Sequence, residues 1–145
     1  MTISGLAVGA TKGFIYLRSE YPRAQKMLER AIDVAMAEGY LGADLCGSGQ
    51  RFELEVRIGA GSYICGEETA LLNSLEGKRG VVRAKPPLPA IKGLFGKPTV
   101  VNNVLTLASV SSILADGGAE YARHGVDRSR EPCLCSSLAI SEMAV

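Results

Sequence analysis

GAGSYICGEETALLNSL, running from Gly59 to Leu75, decides the fold, and VVNNVLTLAS, from Val100 to Ser109, repeats its logic. Ahead of the first stretch, FELEVRI sets Phe52, Leu54, Val56 and Ile58 alternately with polar residues, the period of a half-buried strand. Gly59 and Gly61 then allow a tight turn and a close approach of backbone to a ligand. EETALLNSL follows with helical spacing of its apolar residues and two carboxylates, Glu67 and Glu68, in the first turn. The N–H groups of such a helix start can hold an anion, and carboxylates beside it can accept hydrogen bonds from ribityl or ribose hydroxyls. The second stretch opens another helix, marked by the paired Asn102 and Asn103, and asparagines there can donate to phosphate oxygens. A bland reading stands beside each of these. First-turn carboxylates also complement a helix dipole, and an asparagine at a helix start is an ordinary N-cap.

Outward from this centre, FIYLR at Phe14 to Arg18 reads as a strand. PRAQKMLERAIDVAMAE, Pro22 to Glu38, reads as an amphipathic helix with Pro22 near its start and Gly39 just past its end. Its apolar stripe of Ala24, Met27, Leu28, Ala31, Ile32 and Ala35 is expected to face the core. Met1 to Gly9 reads as the last turns of a helix. The alternation of strands and helices predicts an α/β fold, a parallel-type sheet flanked by helices. Gly77 to Thr99 carries Pro86, Pro87, Pro89 and Pro98 and is expected to be ordered but irregular. The chain has 145 residues, 47% of them hydrophobic and 21% charged, enough for one core of ordinary size. A net charge of +1 without a basic stripe gives no reason to expect nucleic acid. The absence of a long apolar run or a leader pattern points to a cytoplasmic chain.

The spacing is not the GxGxxG fingerprint, since Ile64 takes the place of the third glycine, so a self-standing Rossmann-type NAD domain is disfavoured. The wording is more specific. YICGEETALL, SLEGKRG (Ser74 to Gly80), KPPLPA (Lys85 to Ala90) and GLFGKPTVVNNVLTLA (Gly93 to Ala108), in this order, closely resemble the flavoprotein subunit of NADH-oxidising complexes. That family comprises the 51 kDa-type subunit of complex I, the diaphorase subunit of NAD-reducing hydrogenases and the beta subunit of NAD-dependent formate dehydrogenases. KPPLPA, VVNNVLTLAS and YLRSEYP look most like the last branch. The resemblance implies an incomplete Rossmann-like FMN/NADH-binding domain over residues 1–130, with FMN and NAD as cofactors and other subunits of such a complex as partners. It places Tyr63, Gly66, Glu67, Val101, Asn102, Asn103 and Thr106 at FMN, and Glu68 and Lys85 at NAD. Lys85 could equally be a solvated loop lysine. Leu88 and Leu105 depart from the complex I wording, where a phenylalanine and a glutamate stand, and a leucine at position 88 stacks adenine more weakly.

The resemblance also implies parts outside these residues: an upstream glycine-rich loop that cradles the flavin, and a downstream four-cysteine [4Fe-4S] site. A remnant or interaction module of the same fold without cofactor is the competing expectation. Cys46, Cys65, Cys133 and Cys135 lack the CxxC pairs usual in a metal site, and Cys65 is expected to be a buried structural thiol. Similarity stops at Arg130. Codons can be chosen for EPCLCSSLAIS whose shifted frame gives the family's continuation, so residues 131–145 are expected to be an out-of-frame tail in which Cys133 and Cys135 carry no chemistry.

Overall fold

A computed structural model of the chain describes residues 1–127 and 142–144. Helix α1 (Thr2–Val8) ends at Gly9, whose φ of 71° is the left-handed cap that glycine adopts freely. Strand β1 (Lys12–Arg18) leads to helix α2 (Pro22–Ala37), and strand β2 (Glu53–Gly59) to helix α3 (Glu68–Leu75) through a 3₁₀ turn at Tyr63–Gly66. The proline-rich connection that follows carries a short helix α4 (Pro89–Lys92) and a second 3₁₀ turn at Leu94–Gly96. Strand β3 (Val101–Asn103), helices α5 (Val104–Asp116) and α6 (Gly118–Ala122) and strand β4 (Glu142–Ala144) complete the order.

The sheet order is β2-β1-β4-β3. β1 and β2 pair in parallel from Lys12–Glu53 to Arg18–Gly59, and β4 pairs antiparallel with β1. β1 is buried from Ile15 to Leu17 without alternation, as expected of a strand covered on both faces. One core gathers Tyr16, Cys65, Leu71, Leu72 and Leu94, and another gathers Leu41, Leu45 and Phe52. The predicted α/β architecture with a parallel pair flanked by helices is therefore present.

Two details differ from the sequence reading. In α2 only part of the apolar stripe is covered: Ile32 and Ala35 pack on the Leu41–Phe52 core, while Met27 and Ala31 are exposed, because only the C-terminal half of the helix meets that core. In β2, the edge strand of the sheet, the expected alternation is absent: Leu54, Glu55 and Val56 are all half-buried and Ile58 is exposed, while fully buried Phe52 stands just before the strand and buried Gly59 closes it. The described residues form two compact units. The first runs to Asn102 and includes β4; the second starts at Asn103 and holds α5 and α6, joined by a hydrogen bond from Tyr121 to Ser109. The tail expected to be out of frame lies outside the described residues apart from β4, and so do Cys133 and Cys135.

Candidate functional site

The turn after β2 is built by two glycines with different tasks. Gly61 has φ of 80°, the left-handed region that the tight turn requires. Gly59 has another reason to be glycine: a Cβ there would collide with the Tyr16 hydroxyl, so packing against β1 excludes a side chain. In the 3₁₀ turn that follows, Cys65 points into the core as a free thiol, as expected of a structural cysteine. Tyr63 is 94% exposed, and a Cβ on Gly66 would meet nothing within 4 Å. Gly66 also lies outside the left-handed region, so neither backbone nor packing demands glycine there. An uncovered tyrosine beside a bare stretch of backbone, at the carboxyl end of a parallel strand, suits a flat ligand.

α3 begins one residue later than the apolar spacing suggests, because Glu67 stands outside the helix and caps it. Its Oε2 accepts from the Thr69 hydroxyl at 2.6 Å and from the Thr69 and Ala70 N–H groups at 2.9 Å. Two of the helix's unpaired donors are thereby satisfied. Glu67 Oε1 lies 3.3 Å from Lys85 Nζ, and Lys85 also donates to Glu68 Oε1. Burial works to raise the Glu67 carboxyl, but the bonds from Thr69, Ala70 and Lys85 outweigh it and hold it below the ordinary carboxylate range. Lys85 is held above the ordinary lysine value, by Glu68 foremost and by Glu67, against desolvation. The structure thus brings together Glu67, Glu68 and Lys85, the lysine standing 18 and 17 positions after the two carboxylates in the chain.

On the second stretch, Val101 and Asn102 lie half-buried in β3. Asn103, not Asn102, is the N-cap of α5: its Oδ1 accepts from Leu105 N–H at 2.8 Å. That leaves the Asn103 amide N–H₂ without a partner among the described residues, and the same holds for the whole side chain of Asn102. Thr106 is exposed in the first turn of α5, and Leu88 and Leu105 are exposed as well.

Residues that the sequence reading passed over complete the surroundings of α3. Asn73 donates to the Val81 carbonyl at 2.6 Å and accepts from Arg83 Nε at 2.8 Å. Arg83 N–H donates to the Thr69 hydroxyl at 2.8 Å, and Arg83 Nη2 lies 2.8 Å from Glu76 Oε1, close enough for an ion pair though off the direction of a hydrogen bond. The only hint in the sequence was polar side chains on the face of α3 that carries Leu72. Among the described residues, no group of three or more His, Cys, Asp or Glu side chains could hold a metal ion, and no helix is long and apolar enough to cross a membrane.

Taken singly, these groups have the chemistry FMN calls for: Tyr63 and the open backbone at Gly66 leave room for a ring, Glu67 Oε1 can accept a hydroxyl beside its bond from Lys85, and the carboxamides of Asn102 and Asn103 can donate to a phosphate. The family described as the Nuo51 FMN-binding domain matches residues 1–112. The chain is 56% identical over 119 residues to a curated NADH-quinone oxidoreductase component of Aquifex aeolicus, covering 82% of this chain and 28% of the relative. It is 48% identical over 130 residues to the HndC component of the NADP-reducing hydrogenase of Solidesulfovibrio fructosivorans, covering 90% of this chain and 26% of the relative. The crystal structure of an NAD+-reducing [NiFe]-hydrogenase in the H2-reduced state superposes with a TM-score of 0.77 at 42% identity, over 89% of this chain and 21% of the hydrogenase chain. The chain therefore spans about a quarter of the length of the curated relatives it matches. On the match over residues 1–112 and these identities, the chain belongs to the Nuo51 FMN-binding domain family.

Proposed function

We propose that the chain forms part of a cytoplasmic flavoprotein subunit that exchanges a hydride between NAD(H) and FMN within a multisubunit electron-transfer complex. The observation that supports this most is the cluster at the start of α3, where Lys85 reaches both Glu67 and Glu68 beside the open backbone of Gly66. FMN, when bound, supplies the redox chemistry, taking two electrons with a hydride and exchanging them singly with iron-sulfur centres. Tyr63 and Gly66 provide the surface on which a flat ring lies, and Glu67 Oε1 accepts a hydroxyl. Val101, Asn102, Asn103 and Thr106 hold the flavin by contact and by amide and hydroxyl donors. Glu68 accepts from ribose hydroxyls of the nicotinamide nucleotide, while Lys85 balances its anionic charge. Among the branches of the family we favour an NAD-dependent formate dehydrogenase, on the wording KPPLPA and the leucines at 88 and 105.

Glu68→Gln separates the two ligands. The substitution removes a carboxylate from the nucleotide side and leaves Tyr63, Gly66 and Glu67 in place, so KM for NADH should rise several-fold while flavin content stays near that of the parent. Loss of flavin with unchanged nucleotide affinity contradicts the assignment.

A further inference from the structure

The segment Val81–Lys85 has no helix or strand of its own, yet it lies along α3 in a fixed register. The Val81 carbonyl meets Asn73, the Arg83 N–H meets Thr69, and the Lys85 ammonium meets Glu67 and Glu68. As the segment advances, its partners step back along α3, so the two run antiparallel. The contacts fall on every second residue, as they must when an extended chain presents alternate positions to one side. Helix side chains thus supply the partners that a sheet would otherwise give to this backbone.

Arg83 is the residue of the segment tied at both main chain and side chain. Besides its N–H on Thr69, its Nε donates to Asn73 Oδ1 at 2.8 Å and its Nη1 to the Gly93 carbonyl at 3.1 Å, with Nη2 against Glu76. A guanidinium presents these donors in one rigid plane, which an ammonium cannot reproduce. Two residues further on, Lys85 comes down on the carboxylates. We infer that Arg83 is a positioning residue: its planar fork fixes the register of Val81–Lys85 on α3 and so delivers Lys85 to Glu67 and Glu68. The inference rests on the reading of Glu68 and Lys85 as nucleotide contacts only for its consequence in binding, not for the geometry itself.

The test uses the chain labelled with [ε-13C]lysine and follows the titration of Lys85 by NMR, its signal assigned by its loss in Lys85→Gln. In Arg83→Lys, which keeps a cation beside Glu76 but loses the fork, the Lys85 titration should move down towards that of an ordinary lysine, and Arg83→Met should do the same. Lys78→Met removes another cation from Glu76, 2.6 Å away, and should leave Lys85 unmoved. A merely structural Arg83 would lower the melting temperature of folded Arg83→Lys without shifting Lys85, and that result overturns the inference. Where Arg83→Met does not fold, Arg83→Lys decides. NADH titration of the same variants keeps the two claims apart. A shifted Lys85 with NADH affinity lowered about tenfold or more, the scale of a misplaced binding group, supports both. A shifted Lys85 with unchanged affinity upholds the register and removes Lys85 from the nucleotide site. Lowered affinity with an unshifted Lys85 refutes the positioning role.

Discussion

Glu76→Gln should destabilise the chain at neutral pH and do so much less in acid. The Glu76 side chain is only 5% exposed, follows the last turn of α3, and accepts from Lys78 at 2.6 Å and from Phe95 N–H at 2.8 Å, with Arg83 at 2.8 Å. Burial by itself would raise this carboxyl, but the two cations and the amide bring it from 4.5 to about 2. At about 1.36 kcal/mol per pH unit, that difference corresponds to about 3 kcal/mol of folding free energy. The folded carboxyl is the stronger acid, so the stabilisation is complete above the unfolded value of 4.5 and is lost as pH falls towards 2. Glutamine keeps the shape and abolishes the titration. Urea unfolding followed by circular dichroism should show the parent more stable than Glu76→Gln by about 3 kcal/mol at pH 7, equivalent to roughly 10 °C in melting temperature for a chain of this size. At pH 2 the gap should shrink to under about 1 kcal/mol. A gap of the same size at both pH values refutes the claim that ionised Glu76 ties Arg83 and the Phe95 turn to α3.

The asparagines should part company. Asn103→Ala removes the cap on Leu105 and should cost about 1 kcal/mol of stability, together with a loss of FMN affinity of about 10- to 150-fold, the worth of a hydrogen bond to a charged phosphate. Asn102→Ala should lower FMN affinity on the same scale while leaving stability within about 0.5 kcal/mol of the parent; thermal melts and flavin titrations on both variants check the pair.

The parts of the fold that rest on local periodicity were legible in the residues. β1, β2, α2 and α3 begin and end within a residue or two of the expected positions, since alternation, Pro22 and the glycine turn are local signals. The glycines were half legible. Gly61 follows from the turn, but Gly59 is glycine because of Tyr16 on a neighbouring strand, a contact that no local pattern reveals. The cap on α3 escaped because glutamate is an unusual N-cap, and the choice between Asn102 and Asn103 turned on where β3 ends. Arg83, Asn73 and Glu76 escaped for a deeper reason: they join a helix to an irregular connection through side chains, and such pairings have no sequence period at all.

Gly66 offers the most direct test of the central claim that this family domain carries its flavin on the turn before α3. The fold leaves room for a Cβ there, so Gly66→Ala should melt at or slightly above the parent, the usual gain being about 0.4–1 kcal/mol where the backbone accepts alanine. FMN fluorescence quenching, measured on the full-length flavoprotein carrying this domain, should nevertheless show affinity reduced about tenfold or more, since one methyl group then stands where the ring would lie. Undiminished FMN affinity in a stably folded Gly66→Ala protein would contradict the account.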